Sequence, residues 1–160
     1  MAIKIGLPPI YNKESKLLIL GSFPSVKSRQ VSFYYGNKQN RFWRTVCGFF
    51  EEEIPSTIEG KVRFLYRRNI ALWDMVMACE IEGSADASIK LEELADLNLI
   101  LPNANIQKIF LNGTLAYDLF MRSYPHLADI AVKMPSTSPA NPRFSAEIWH
   151  NELNNIFRIY

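Results

Sequence analysis

The sequence is poor in metal ligands and in histidine bases. Among 160 residues it has two histidines, His126 and His150, and two cysteines, Cys47 and Cys79. Four-cysteine zinc or iron–sulfur sites are therefore excluded within one chain, because the ligands are not there. The cysteines lack metal-cluster spacing and sit in apolar surroundings, so buried free thiols in a reducing compartment are expected. Both histidines flank helical patterns, far from the polar motifs described below, which argues against a histidine base. No glycine-rich phosphate loop of the P-loop or dinucleotide type occurs. The first residues mix charge and proline instead of forming a signal peptide, and no apolar run suits a membrane span. The expectation is a cytoplasmic protein with no membrane partner, no metal and no cofactor.

What is present is ordinary in amount and unusual in placement. The chain is 48% hydrophobic and 21% charged, a globular balance that fits one domain over residues 1–160. Net charge is only +2, but acids are absent from two stretches. Residues 21–50 carry Lys27, Arg29, Lys38, Arg41 and Arg44 without a carboxylate, and residues 130–146 carry Lys133 and Arg143 alone. Brought together, these stretches would make a face that tolerates a polyanion.

Short apolar runs at 17–21 (LLILG), 70–74 (IALWD), 106–112 (IQKIFLN) and 130–134 (IAVKM) read as buried parallel strands. Helical patterns lie between them, at 41–50, 56–68, 91–101 and 113–124, and a last helix is capped by Ser145. The piece from Cys79 to Lys90 reads as a surface loop turning at Gly83-Ser84. Strands alternating with helices predict an α/β sandwich with a mostly parallel four-stranded sheet. In such sheets ligands bind beyond the carboxyl ends of the strands, and small polar residues collect at that rim.

Three rim motifs stand out. The first is GSFPS, Gly21 to Ser25, where Gly21 and Pro24 let backbone approach a ligand and Ser22, Ser25 and Ser28 offer hydroxyls to a base or phosphate. The second is FYYGNKQNRFW, Phe33 to Trp43, with five large rings, three amides and two cations in eleven positions. Phe42 and Trp43 suit a buried helix start. Phe33, Tyr34 and Tyr35 are harder to bury together, so one of them is free to stack on a base. Asn37, Gln39 and Asn40 can read a base edge or hold a water, or cap the helix that follows. Lys38 suits a phosphate contact better than a covalent nucleophile. The third is PSTSPAN, Pro135 to Asn141, stiffened by proline and rich in hydroxyls. It suits gripping phosphates and pressing into a duplex from which a nucleotide has been extruded. Asp74 and Asn112 close the second and third strands; Asp74 reads as a strand-end cap.

With Leu72-Trp73-Asp74, residues 83–89 (GSADASI) and Phe110-Leu111-Asn112-Gly113, these motifs in this order resemble the hypoxanthine-DNA (deoxyinosine) glycosylases of the uracil-DNA glycosylase superfamily, with the mismatch-specific uracil-DNA glycosylases as near relatives. The resemblance implies a three-layer α/β/α domain and a metal-free enzyme that flips a deaminated base from DNA and hydrolyses its N-glycosidic bond. It implies Asn40, or alternatively Asn37, as the catalytic residue, since Phe23 stands where many members carry an Asp or Asn that activates water. It implies a base pocket of Gly21, Ser22, Phe23, Pro24, Ser25, Tyr35 and Asn112. DNA contacts then fall to Ser28, Lys38, Ser136, Thr137, Ser138, Pro139, Ala140 and Asn141. The implied partner is DNA containing hypoxanthine, with uracil or xanthine as further substrates, and the implied state is a monomer. Two rivals stand beside this reading: a mismatch-type uracil or thymine glycosylase, and a nucleic-acid-binding module that kept the fold without the chemistry.

Overall fold

The computed structural model describes residues 3–80 and 90–158. Its centre is a four-stranded parallel sheet with strand order β3-β2-β6-β7, formed by β2 (Leu17–Gly21), β3 (Ile70–Asp74), β6 (Lys108–Asn112) and β7 (Ala131–Met134). All of β2 is buried, as a central strand with both faces covered requires. Helices α2 (Phe42–Phe49), α3 (Ile58–Arg67), α4 (Thr114–Ser123) and α5 (Ala146–Phe157) flank the sheet, with the short α1 (Val26–Val31) following β2. Trp149 of α5 joins helix to helix and helix to sheet, meeting Phe42 edge-on at 6.2 Å and Phe110 of β6 at 5.8 Å. The α/β expectation with its four parallel strands holds.

Register sets the site. Gly21 pairs with Asp74 and Asn112 with Met134, so the strands end together at one rim. Helix starts are fixed by local chemistry: Thr57 Oγ1 accepts from Gly60 N–H at 2.9 Å to open α3, and Ser145 Oγ accepts from Ile148 N–H at 3.3 Å to open α5.

Several expectations are corrected. No helix covers 91–101. Instead β5 (Lys90–Leu94) pairs antiparallel with β4 (Val76–Glu80), and 3-10 turns follow at 97–99 and 101–103. The Asp96 carboxylate accepts from Asn98 N–H at 3.0 Å, which favours a tight turn there over a helix. With β1 (Ile3–Ile5), these strands form a second sheet ordered β1-β4-β5, which the alternation of strands and helices did not suggest. Cys79 belongs to β4, while the expected turn at Gly83-Ser84 lies outside the described residues. Both cysteines are buried. Among the described residues no helix is long and apolar enough to cross a membrane.

Candidate functional site

Beyond the strand ends lies a cavity of about 850 Å³, lined by parts of all three rim motifs together with Asp74, Asn112, Gly113, Thr114, Lys133 and Arg143. Among the described residues Asp74 is its one carboxylate.

Gly21 is needed for packing. A Cβ there would lie 2.5 Å from Asp74 Oδ1 and 3.6 Å from the Tyr35 hydroxyl. The missing side chain makes room for these two groups to converge beside the cavity that Gly21 lines. The backbone of the same turn is fixed by Met75 N–H donating to Gly21 O (2.8 Å) and Val76 N–H to Ser22 O (2.9 Å). Ser25 caps α1, accepting from Ser28 N–H at 3.1 Å and donating to Ser28 Oγ at 3.1 Å. Ser28, expected as a DNA contact, lines the cavity but is 2% exposed, and its Oγ accepts from Gly36 N–H at 2.8 Å. Pro24 is buried, while Phe23 is half-buried, lines the cavity and lies under the Arg29 guanidinium at 5.4 Å.

The aromatic stretch packs better than its sequence suggested. Phe33 stacks on Trp43 at 5.9 Å, and Tyr34 is buried with its hydroxyl donating to Pro8 O at 2.7 Å. Tyr35 differs from both. Its φ of 54° lies in the left-handed region, uncommon for a bulky residue and characteristic of sites where backbone strain is retained. One face of its ring stacks on Phe42 at 4.0 Å, and its hydroxyl accepts from Asn112 Nδ2 at 3.3 Å. Burial first, and then the charge of Asp74, push the Tyr35 phenol up against the opposing Asn112 hydrogen bond, so it keeps its proton.

The two candidate catalytic amides both line the cavity, and both use Oδ1 locally. Asn37 Oδ1 accepts from Gln39 N–H and Asn40 Oδ1 from Phe42 N–H, each at 2.9 Å. The capping alternative is therefore real for Asn40, although the N-cap position itself belongs to Arg41. A carboxamide oxygen has two lone pairs, so one remains at each. Lys38 is exposed and outside the cavity lining.

In the third motif Thr137, expected as a DNA contact, lines the cavity but is turned inward. It is 1% exposed, with N–H donating to Asn112 Oδ1 and Oγ1 accepting from Asn112 Nδ2, both at 3.0 Å. Asn112 is thus a strut between Tyr35 and the loop. Ser136 Oγ accepts from Ser138 N–H and Ser138 Oγ from Ala140 N–H, each at 3.2 Å, while Asn141 Nδ2 donates to Ser136 O at 2.9 Å. Pro139 and Ala140 are left exposed at the tip. Sequence reasoning missed two residues here. Asp74 is 5% exposed yet lines the cavity, which a capping role did not anticipate. Arg41 counted only as one more cation, yet it binds the loop. Its place between Asn40 and a buried helix start was the available signal. Among the described residues no group of three or more His, Cys, Asp or Glu side chains is arranged to hold a metal.

Comparison with known proteins identifies the family. The family profile of the Uracil DNA glycosylase superfamily matches residues 8–155. A Hypoxanthine DNA glycosylase of Methanosarcina acetivorans is 36% identical over 162 aligned positions, covering 98% of this chain and 99% of the relative. One from Methanosarcina barkeri is 32% identical over 144 positions, 88% of this chain and 89% of the relative. A solution NMR structure from Methanosarcina acetivorans superimposes with a TM-score of 0.80 at 34% identity, over 98% of both chains.

Proposed function

This chain belongs to the uracil DNA glycosylase superfamily, and from that premise we propose that it is a DNA N-glycosylase that excises a deaminated base, hypoxanthine before uracil or xanthine. It works as one domain and as a monomer in the cytoplasm. Water adds to the sugar carbon, the glycosidic bond breaks, and the base leaves with a proton, giving free base and an abasic site.

The observation that carries this reading is the convergence of Asp74 and the Tyr35 hydroxyl over Gly21. The Asp74 carboxyl group brings acceptor oxygens, whereas the Tyr35 hydroxyl, which accepts from Asn112, has its own proton to donate. An acceptor beside a donor matches the ring N–H and adjacent carbonyl of hypoxanthine, uracil and xanthine. Adenine and cytosine present the reverse pattern, a ring acceptor beside an amino donor. Deamination of adenine or cytosine thus converts a mismatched edge into a matched one, and a site built to hydrogen-bond its substrate rejects the wrong pattern by leaving buried groups unpaired.

Phe42 occupies one face of Tyr35, leaving the other for the flipped base, and Phe23, Ser22 and Ser25 line the same cavity. Asn40, or Asn37 in its place, holds the water through the remaining lone pair of its amide oxygen. An amide is too weak a base to ionise water, so the barrier falls through orientation and through electrostatic stabilisation of the departing base and the cationic sugar. Ser136, Ser138, Pro139, Ala140 and Asn141 meet the DNA backbone, with Lys133, Arg143 and Lys38 supplying positive charge.

Duplexes carrying one deoxyinosine, deoxyuridine, deoxyxanthosine or mismatched thymidine, treated with protein and then hot alkali, test the reading. Strand breaks at deoxyinosine first, with none at deoxyadenosine, are expected. A folded protein that breaks no lesion duplex would favour a binding module without chemistry.

A further inference from the structure

We propose that Arg41 is a positioning residue that joins the DNA-gripping loop to the water-holding amide, and that it does so as an internal strut rather than as a phosphate contact. The proposal rests on the glycosylase reading above. Arg41 stands between Asn40 and Phe42, the two residues whose hydrogen bond, Phe42 N–H to Asn40 Oδ1, fixes the amide. From that position it reaches the loop three times. Its backbone N–H donates to Thr137 O at 3.0 Å, and its Nη2 donates to Ser138 O and, at 2.8 Å, to Asn141 O. The guanidinium also lies over the Phe144 ring at 4.5 Å.

A cation in an acid-free stretch would ordinarily be assigned to phosphate. Here Nη2 of the planar head is committed to two carbonyls and its face to a ring, and Arg41 is not among the cavity-lining residues, whereas Arg143 and Lys133 are. Its Nε is buried without a hydrogen-bond acceptor among the described residues, so packing rather than a counter-ion holds it. By taking the inward carbonyls of Ser138 and Asn141, it fixes which backbone groups the loop turns outward. Pressure on the loop from bound DNA is transmitted to the turn that carries Asn40.

Lysine separates charge from geometry at this position, because it keeps the cation and loses the fork and the stacking plane. Arg41→Lys is expected to lower the single-turnover rate on deoxyinosine duplex at least ~10-fold. Affinity for undamaged duplex should stay within about twofold, and the salt dependence of binding should be unchanged. Phe144→Leu, which removes the ring and leaves the guanidinium, should give the same split with a smaller loss. Hydrogen exchange of amides 136–138, 140 and 141 without DNA should be faster in both variants than in the wild type.

An unchanged rate in Arg41→Lys overturns the proposal. So does a parallel loss of rate and affinity in Arg41→Gln with the salt slope reduced by about one, the mark of a phosphate contact. If the wild type cleaves no lesion, the glycosylase reading fails by itself. Loop exchange then still decides on Arg41: unchanged exchange overturns the strut, and faster exchange in the variants supports it.

Discussion

The two sides of the cavity are held by different forces. On one side, residues 33–43 are fixed by rings: Phe33 on Trp43, Tyr35 on Phe42, and Phe42 against Trp149 in the core. On the other side, residues 135–142 bury one side chain, Thr137, and are fixed by hydrogen bonds from Arg41, Asn112 and the Trp149 indole, which donates to Pro135 O at 2.9 Å. Packed rings are costly to disturb and hold a group to a fraction of an ångström, which suits the side proposed to carry the chemistry. A hydrogen-bonded loop with an exposed tip can adapt to a backbone that varies in shape, which suits gripping DNA.

This contrast is best broken at Phe42. Phe42→Ala should cost about 3–5 kcal/mol of unfolding free energy, because it empties a fully buried site that supports Tyr35, Trp43 and Trp149. At the opposite tip, Pro139→Ala should stay within about 0.5 kcal/mol. Urea unfolding of the two variants measures the difference, and equal losses would erase the distinction between the two sides.

Next in size is Asp74→Ala. Excision of deoxyinosine should fall ~10²-fold or more in single turnover, and the preference over deoxyadenosine should shrink with it. A loss equal on every base would make Asp74 a structural or water-handling group instead of a reader.

Asn112→Ala should cost about 1–3 kcal/mol, since it orphans the buried N–H of Thr137. Amide exchange should quicken in the loop and remain slow in residues 33–43. Quickening on both sides alike would show that the loop, and not the rings, holds the cavity together.

Lys38→Ala should have the smallest effect: stability unchanged within about 0.5 kcal/mol and, if it touches phosphate, a salt slope of DNA binding reduced by about one. An unchanged slope would remove Lys38 from the DNA face.

The sequence made the parallel strands legible because each is a short apolar run, three of them ending in a small or polar residue, and register then carried those three, Gly21, Asp74 and Asn112, to one rim. The second sheet was not legible. Its pairing of β4 with β5 is tertiary, and the apolar spacing of 91–101 matches a helix equally well. At the site, composition identified the three motifs but not which side chains turn inward. Ser28 and Thr137 look like surface hydroxyls until Gly36 N–H and Asn112 claim them. Asp74 looked like a cap because nothing in the chain shows that Gly21 makes room for it.

The central claim is that the packed side of the cavity holds the water through Asn40 while the other groups hold the base. The most direct test compares wild type and Asn40→Ala on a deoxyinosine duplex, measuring single-turnover cleavage and lesion binding in the same preparation. Cleavage lost with lesion affinity retained within a few-fold is the predicted result. Full cleavage in the variant would contradict the claim and move the water to Asn37 or to Asp74.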